Sequence, residues 1–349
     1  MGERRTLITG GAGFVGTNLA DRLLSSGRRV VVLDDLSRVG VRENLRWLED
    51  AHPDGLEVDI GDVRDASAVR AALVGTDHVF HFAAQVAVTT SVEDPVRDFA
   101  VNLGGTLTLL EELRRLESPP PLLFTSTNKV YGGLDHVAIH KRGERYEPRD
   151  RVWRDHGISE DQPLQFCSPY GCSKGGADQY VLDHARSFGL PTVVLRMSCI
   201  YGPHQRGNED QGWLAHFLMQ AMAGRPITLY GDGCQVRDVL FVDDLLDAME
   251  LAVANVDRLS GQAFNMGGGP DNTVSLLELL HTIGALEGSR PEIDHGRWRV
   301  GDQRWYVSDT RRFARETGWR PMVDVAQGVE RLHAWVGRRS LGLSIAEAT

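Results

Sequence analysis

The segment that most restricts the fold lies near the start of the chain. There the apolar run Thr6-Leu7-Ile8-Thr9 passes directly into Gly10-Gly11-Ala12-Gly13-Phe14-Val15-Gly16, and leucines follow at Leu19, Leu23 and Leu24. A short buried strand, a glycine turn and a helix in that order form the first half of a βαβ unit, since parallel strands need a crossover and a helix is the usual one. Gly10 permits the tight turn, Gly13 lets backbone approach a pyrophosphate, and Gly16 lets the helix pack closely. The helix N-terminus then supplies the positive end to the same phosphates. The spacing is G-x-x-G-x-x-G, one residue longer in its first step than the common fingerprint.

The same alternation continues downstream. Val30-Val31-Val32-Leu33 ends at Asp34-Asp35, with Asp34 18 positions after Gly16. A carboxylate at that strand end accepts from both adenosine ribose hydroxyls and repels a 2′-phosphate, so NAD is expected over NADP, with Arg38 close by. A third strand around Leu56-Glu57-Val58 leads to Asp62, placed to reach an adenine amino group. A fourth, Val79-Phe80-His81-Phe82, opens into Ala83-Ala84-Gln85, small residues against which a dinucleotide can lie. His81 is expected to pack within its strand. Pro95 begins an apolar helix carrying Phe99, Leu103, Leu107, Leu110 and Leu113; this stripe reads as core, or as half of a subunit interface. Leu122 to Thr127 and Thr192 to Arg196 complete the set of strands.

The expected fold is therefore α/β, a doubly wound Rossmann-type parallel sheet with a smaller, irregular C-terminal lobe. Residues 1–200 would form the dinucleotide-binding domain. Residues 201–349 would be mainly the substrate lobe, interleaved with the sheet. Within the first domain, between Thr127 and Tyr170, the charged insert 132–165, with His140-Lys141-Arg142-Gly143-Glu144-Arg145, reads for the most part as a solvated excursion that could also fold over the cleft as a lid.

Ser168-Pro169-Tyr170-Gly171-Cys172-Ser173-Lys174 opens a further helix, with Ser168 suited to the N-cap and Pro169 to the first helical position. Tyr170 and Lys174 then lie one turn apart on one face. A lysine there, with a positively charged nicotinamide near it, is expected to bring the phenol toward neutral pKa and make it an acid or base. Thr127, at a strand end, would hydrogen-bond a substrate hydroxyl opposite Tyr170. Arg237 and Arg304 are candidates for a diphosphate clamp, since guanidinium forks match phosphate oxygens.

Composition removes other classes. The net charge is -10 with no basic block, which argues against nucleic acid as a partner. The four cysteines have neither metal-ligand nor disulfide spacing, so no metal is expected and the thiols read as reduced. No apolar run is long enough for a bilayer, and the chain enters the glycine motif too soon for a signal peptide, which points to the cytoplasm.

Together these motifs resemble the extended short-chain dehydrogenase/reductase family of nucleotide-sugar epimerases and dehydratases, from Gly10 to about Asp309. Ser126-Thr127-Asn128-Lys129-Val130-Tyr131-Gly132, Ser168 to Gly175, Ala177 to Tyr180, Asp210-Gln211-Gly212-Trp213, Gln235 to Leu240 and Asp302-Gln303-Arg304 carry the likeness. The resemblance implies a Thr127, Tyr170, Lys174 triad over a tightly bound NAD that is regenerated each turnover. It also implies NAD contacts from Gly10, Gly13, Phe14, Val15, Gly16, Asp34, Asp35, Ser37, Arg38, Asp62, Val63, Phe82, Ala83, Ala84, Gln85, Asn102 and Thr125. A nucleotide-diphosphate sugar would meet Thr127, Asn128, Gln211, Arg237 and Arg304.

Within the family the chain is most similar to the members that invert C2 of a CDP-linked deoxyhexose. Dehydratases carry Asp-Glu after the threonine, and nucleotide-glucuronate decarboxylases keep a glutamate at the second position; this chain has Asn128-Lys129. The expected activity is thus an epimerase, with a UDP-sugar 4-epimerase or related tailoring enzyme as the alternative and a non-catalytic dinucleotide sensor as a different class. A homodimer or higher homo-oligomer is also expected.

Overall fold

The computed structural model describes residues 5–299 and 302–346. Seven parallel strands form its centre: β1 (Arg5–Thr9), β2 (Arg29–Asp34), β3 (Leu56–Ile60), β4 (His78–His81), β5 (Leu122–Thr127), β6 (Thr192–Met197) and β7 (Gln262–Met266). Their order across the sheet is β7-β6-β5-β4-β1-β2-β3. Both faces are covered, and the strands therefore read as nearly unbroken apolar runs. Val30 and Val32 of β2 enter one core with Leu19 and Leu23, while Val31 and Leu33 enter the other with Leu109 and Leu110. Strand order reverses between β1 and β4, so the crevice for a ligand opens beyond their carboxyl ends. The doubly wound α/β expectation holds.

The strand β7 arrives after the chain has left the sheet for the helices Trp213–Met222 and Val242–Ala254. The C-terminal half therefore contributes the edge strand of the sheet as well as its own small sheets. In one of these, Val236–Phe241 pairs with Thr273–Ser275 antiparallel and with Trp305–Tyr306 and Cys199–Tyr201 in parallel.

The insert is solvated at its charged tip, where Lys141, Arg142, Gly143 and Glu144 are exposed, but it is not a loose excursion. Ile139–Arg142 and Arg145–Pro148 form an antiparallel hairpin turned at Gly143, whose φ is +61°. Some of its polar side chains reach the C-terminal half: Arg145 donates to Thr273 Oγ1 at 2.7 Å, Tyr146 to Asp232 at 2.8 Å, and His281 meets Glu144 at 2.8 Å, while Arg142 and Arg154 pair within the insert with Glu147 and Asp155. Beneath them Val137 and Ile158 share a core with Val236, Trp305 and Tyr306. Ionic and hydroxyl partners on the neighbouring lobe, invisible in local sequence, make a polar segment an integral layer.

The Pro95 stripe also needs correction. Pro95–Phe99 and Gly105–Arg114 are α-helical, but the intervening Ala100–Gly104 is a π-helix. The wider turn rotates the faces, so Asn102, Thr106, Leu109, Leu110 and Leu113 are buried while Phe99 stays 58% exposed. Among the described residues no helix is long and apolar enough to cross a membrane.

Candidate active site

The glycine turn explains itself by contact distances. Gly10 has φ +68°, and a Cβ there would stand 2.6 Å from the Ala83 backbone nitrogen. A Cβ at Gly16 would meet Gly10 O at 2.5 Å, so the helix Phe14–Ser25 packs closely on the turn itself rather than on the sheet face. Gly13 caps that helix without a side-chain bond, leaving the N–H groups of Phe14, Val15 and Gly16 among the orphans of a helix start. Gly11, not singled out from sequence, is equally constrained, because a Cβ there would meet Val32 at 2.7 Å.

The other cofactor candidates gather around this turn. Asp34 ends β2 and accepts from Ala12 N–H at 3.1 Å and Leu36 N–H at 2.9 Å; burial raises its pKa against those bonds. Asp35 is exposed and holds the Ser37 N–H at 2.9 Å. Asp62 is tied to Arg64, which keeps its carboxyl below the ordinary carboxylate range, and Val63 packs under Gly105. Phe82 N–H bonds Thr9 O at 3.0 Å, and Ala83 and Ala84 continue the crevice wall. Gln85 N–H donates to Asn102 Oδ1 at 2.8 Å, while Gln85 Oε1 is buried without a partner. A glycine cradle, an open helix start, a strand-end carboxylate and an unpaired buried amide oxygen fit a dinucleotide laid across β1 and β4.

Arg38 does more than border the ribose position. Its guanidinium reaches Gln211 Oε1 on the loop from the C-terminal half, and it lies near enough to Tyr170 for their charges to couple. The residues expected on the cofactor side and on the sugar side thus meet over the tyrosine.

Tyr170 stands at the start of the helix Ser168–Phe188. Ser168 Oγ accepts from Gly171 N–H at 3.2 Å, a bond of the capping kind, and Ser168 itself has φ +69°. A non-glycine residue in the left-handed region costs about 1 to 2 kcal/mol. The strained residue turns the chain from the insert into the helix, and Tyr170 N–H is fixed on Ser91 Oγ at 3.1 Å. Thr127 ends β5 with its hydroxyl against that of Tyr170.

The ionisation differs from expectation. Burial around the Tyr170 hydroxyl pushes its pKa up to about 12, with Thr127 and Arg38 favouring the phenolate and Asp98 opposing it. Lys174 does not sit against the phenol oxygen. Its Nζ donates to Thr125 O at 2.7 Å and lies 4.2 Å from the centre of the Phe124 ring. Burial lowers Lys174 to about 7, with Asp178 and Asp98 pulling it upward. In the protein's own field desolvation outweighs the Thr127 hydrogen bond and the attraction of Arg38, so the phenol is not brought near neutrality without the cofactor's charge.

On the substrate side Asn128 is buried, and its Nδ2 faces Gln303 Oε1 at 3.5 Å; Gln303 donates to Gly132 O at 2.6 Å. Arg237 pairs with Asp302 at 2.6 Å, and both couple electrostatically to Lys129, which burial lowers. Arg304 is exposed and its guanidinium lies over the Trp298 and Tyr146 rings. His81, bonded to Thr9 at 2.6 Å and Thr106 at 3.0 Å, is packed and held neutral, its pKa lowered by burial to about 3. Asp98 and Ser173, which join Asn102 to the Tyr170 helix, escaped sequence reading. The only hint was that Asp98 precedes Asn102 by one helical turn. Among the described residues no cluster could hold a metal ion.

Residues 6–267 match the model of the NAD dependent epimerase/dehydratase family. The chain is 41% identical over 338 residues to the CDP-paratose 2-epimerase of Salmonella typhi, covering 95% of this chain and 98% of that protein. It is 34% identical over 326 residues to the UDP-glucose 4-epimerase of Mycolicibacterium smegmatis, covering 93% and 96%. The crystal structure of the Thermus thermophilus UDP-glucose 4-epimerase in complex with NAD superposes with a TM-score of 0.79 at 34% identity, covering 95% and 98%. Glycine cradle, strand-end carboxylate and sheet order agree with that likeness, and the chain belongs to the NAD dependent epimerase/dehydratase family, with NAD as its cofactor.

Proposed function

We propose that this enzyme inverts C2 of a CDP-linked deoxyhexose of the paratose and tyvelose type by transient oxidation to a keto sugar. The observation that carries the reading is the buried amide of Asn128 directly after Thr127, where elimination of water would need a carboxylic acid. With no acid or carboxylate in that position, reversible oxidation of a carbinol is the chemistry left to Thr127 and Tyr170. The relation to the Salmonella typhi enzyme supports C2 as the carbon and CDP as the nucleotide. A ketone at C4 acidifies only the C3 and C5 protons, so inversion at C2 follows most directly from oxidation at C2.

Bound at the crevice, NAD supplies hydride uptake and return and brings a positive charge into it. In its phenolate form, which that positive charge would favour, Tyr170 takes the proton of the sugar hydroxyl as it is oxidised and gives it back on reduction. Thr127 orients that hydroxyl, and Lys174, anchored on Thr125 O, holds a proton behind the tyrosine. Arg237 and Arg304 bind the diphosphate, and the sugar ring turns between the two half-reactions. On this reading residues 1–200 hold the cofactor, with the insert 132–165 bracing the sugar-nucleotide lobe of residues 201–349. Four free cysteines fit a reducing cytoplasm.

Incubation with CDP-paratose and related sugar nucleotides in deuterated water, followed by NMR, tests the reading. The expected product is the C2 epimer with little solvent deuterium; no C2 epimer across the panel sinks it. Conversion of a UDP-hexose at C4 instead would favour the 4-epimerase reading, for which the Mycolicibacterium relative is the support. We further infer a homodimer through the exposed Val92, Val96, Phe99 and Phe188. Light scattering giving a clean monomer would remove that.

A further inference from the structure

We propose that Asp98 is a positioning residue: it ties the Tyr170 helix to the Gln85 loop and supplies a buried negative charge shared by Tyr170 and Lys174. The inference deepens the reading of Tyr170 as the proton carrier and rests on it.

Asp98 is 1% exposed. Its Oδ2 accepts from Ser173 Oγ at 2.5 Å and its Oδ1 from Asn102 Nδ2 at 3.0 Å. Asn102 Nδ2 also reaches Ser173 Oγ at 3.0 Å, and Asn102 Oδ1 receives the Gln85 N–H. Ser173 lies between Tyr170 and Lys174 in the chain, and its Oγ approaches Tyr170 O at 3.2 Å. One carboxylate thus fixes the cofactor-side loop, the π-helical turn and the catalytic helix in a single network. π-Helical turns recur where function needs a residue re-aimed, and here Ala100–Gly104 carries Asn102 inward. Burying a carboxylate is costly unless its bonds and charge are used.

The surroundings define what that charge does. Lys174 is faced by Asp178 on its own helix, by Asp98, by Thr125 O and the Phe124 ring of β5, and by neutral His81 of β4. Asp178 is already held through both oxygens by Arg196, at 2.9 and 3.0 Å. Tyr170 is faced by Thr127, Asp98 and Arg38. Asp98, bonded to neutral donors, therefore disfavours the phenolate and favours the ammonium at once. Removing its charge moves both groups to lower pH together, whereas loss of a merely structural side chain slows turnover without moving either limb of the pH profile.

The experiment compares wild type, Asp98→Asn and Ser173→Ala. The ultraviolet absorbance of the phenolate is titrated in purified protein, with Tyr170→Phe subtracted to isolate Tyr170. Asp98→Asn should lower that titration by about one pH unit. Both limbs of the rate profile on CDP-paratose should move down with it. Ser173→Ala keeps the charge and should leave the titration near the wild-type position. An unmoved titration in Asp98→Asn, or an equal shift in Ser173→Ala, overturns the proposal whatever happens to turnover. A shifted titration with no epimer from any sugar nucleotide supports the role of Asp98 and sinks the 2-epimerase reading instead. Should Asp98→Asn not accumulate folded, Asp98→Ser carries the same neutral test.

Discussion

Tyr131 and Tyr170 flank the insert, one before it and one after, and burial pushes both hydroxyls up to about 12. Their partners differ. Tyr131 is fully buried; its hydroxyl donates to Asn265 Oδ1 at 2.7 Å and receives Arg196 Nη1 at 3.2 Å, while its ring stacks on Tyr306. Tyr170 is only partly buried as a residue, and its hydroxyl meets Thr127 and the charges of Arg38 and Asp98, side chains that border the cofactor and substrate positions of the proposed reading. A raised pKa alone does not mark a reactive tyrosine. What separates the two is whether the hydroxyl's bonds are closed within the protein or directed into a cleft.

The largest test of that contrast is Tyr170→Phe. Turnover should fall by about 100- to 10,000-fold, the range typical of a lost acid–base group, while NAD remains bound. Tyr131→Phe should leave turnover per folded molecule near wild type. Rates normalised to the folded fraction check both, and equal losses would erase the distinction.

Next in size is the ion pair beneath Tyr131. Arg196→Met leaves Asp178, 0% exposed, as an uncompensated buried charge, and should cost about 3 to 5 kcal/mol in urea unfolding. Asp178 would then keep only the Gln179 amide at 2.8 Å and the charge of Lys174, raising the lysine's pKa. Arg196 thus keeps the closed network from feeding charge into the open one; a mild loss of stability with an unchanged Lys174 would break that link.

The fold was legible because its signals are local. The glycine turn, the strand-end Asp34 and the apolar strands each announce themselves within a few residues, and Ser168 and Thr127 stand where cap and strand-end chemistry put them. The ionisation of Tyr170 was not legible, because burial is a property of the assembled chain and here exceeds any one neighbour's charge. Asp98 was hidden for a related reason. A π-helical turn breaks the 3.6-residue spacing by which buried faces are recognised, so neither Asp98 nor the exposure of Phe99 follows from the leucine stripe. The insert misled because some of its charges find partners more than a hundred residues away, as Arg145 does in Thr273 and Glu278.

Lys174 separates the sites through pH. Its ordinary value of 10.5 is lowered to about 7 by burial, so between those values the unfolded chain holds a proton that the folded chain has released. The unfolded state binds more protons, and stability rises with pH across that window. Below pH 7 the cost of burying the charge is fully present. Tyr170 acts in the opposite sense only later, losing stability between its ordinary 10 and about 12. From pH 7 toward 10 the melting temperature of wild type should therefore climb relative to Lys174→Met, which has no such proton. Parallel curves would mean that Lys174 titrates where an exposed lysine does.

The smallest effect is the stability difference between the two phenylalanine variants. Tyr131→Phe strands Asn265 Oδ1 and one Arg196 N–H in a fully buried site, and leaving buried groups unpaired costs about 1 to 3 kcal/mol. Tyr170→Phe removes a hydroxyl that borders the crevice, so the change should lie within about 0.5 kcal/mol. The comparison is strict because the same oxygen is deleted from the same ring at the same initial pKa. If urea unfolding gave Tyr170→Phe the larger loss, the Tyr170 hydroxyl would be closed within the protein like that of Tyr131. An oxygen so engaged has no free direction in which to meet a sugar hydroxyl, and the proton would have to be carried by another group.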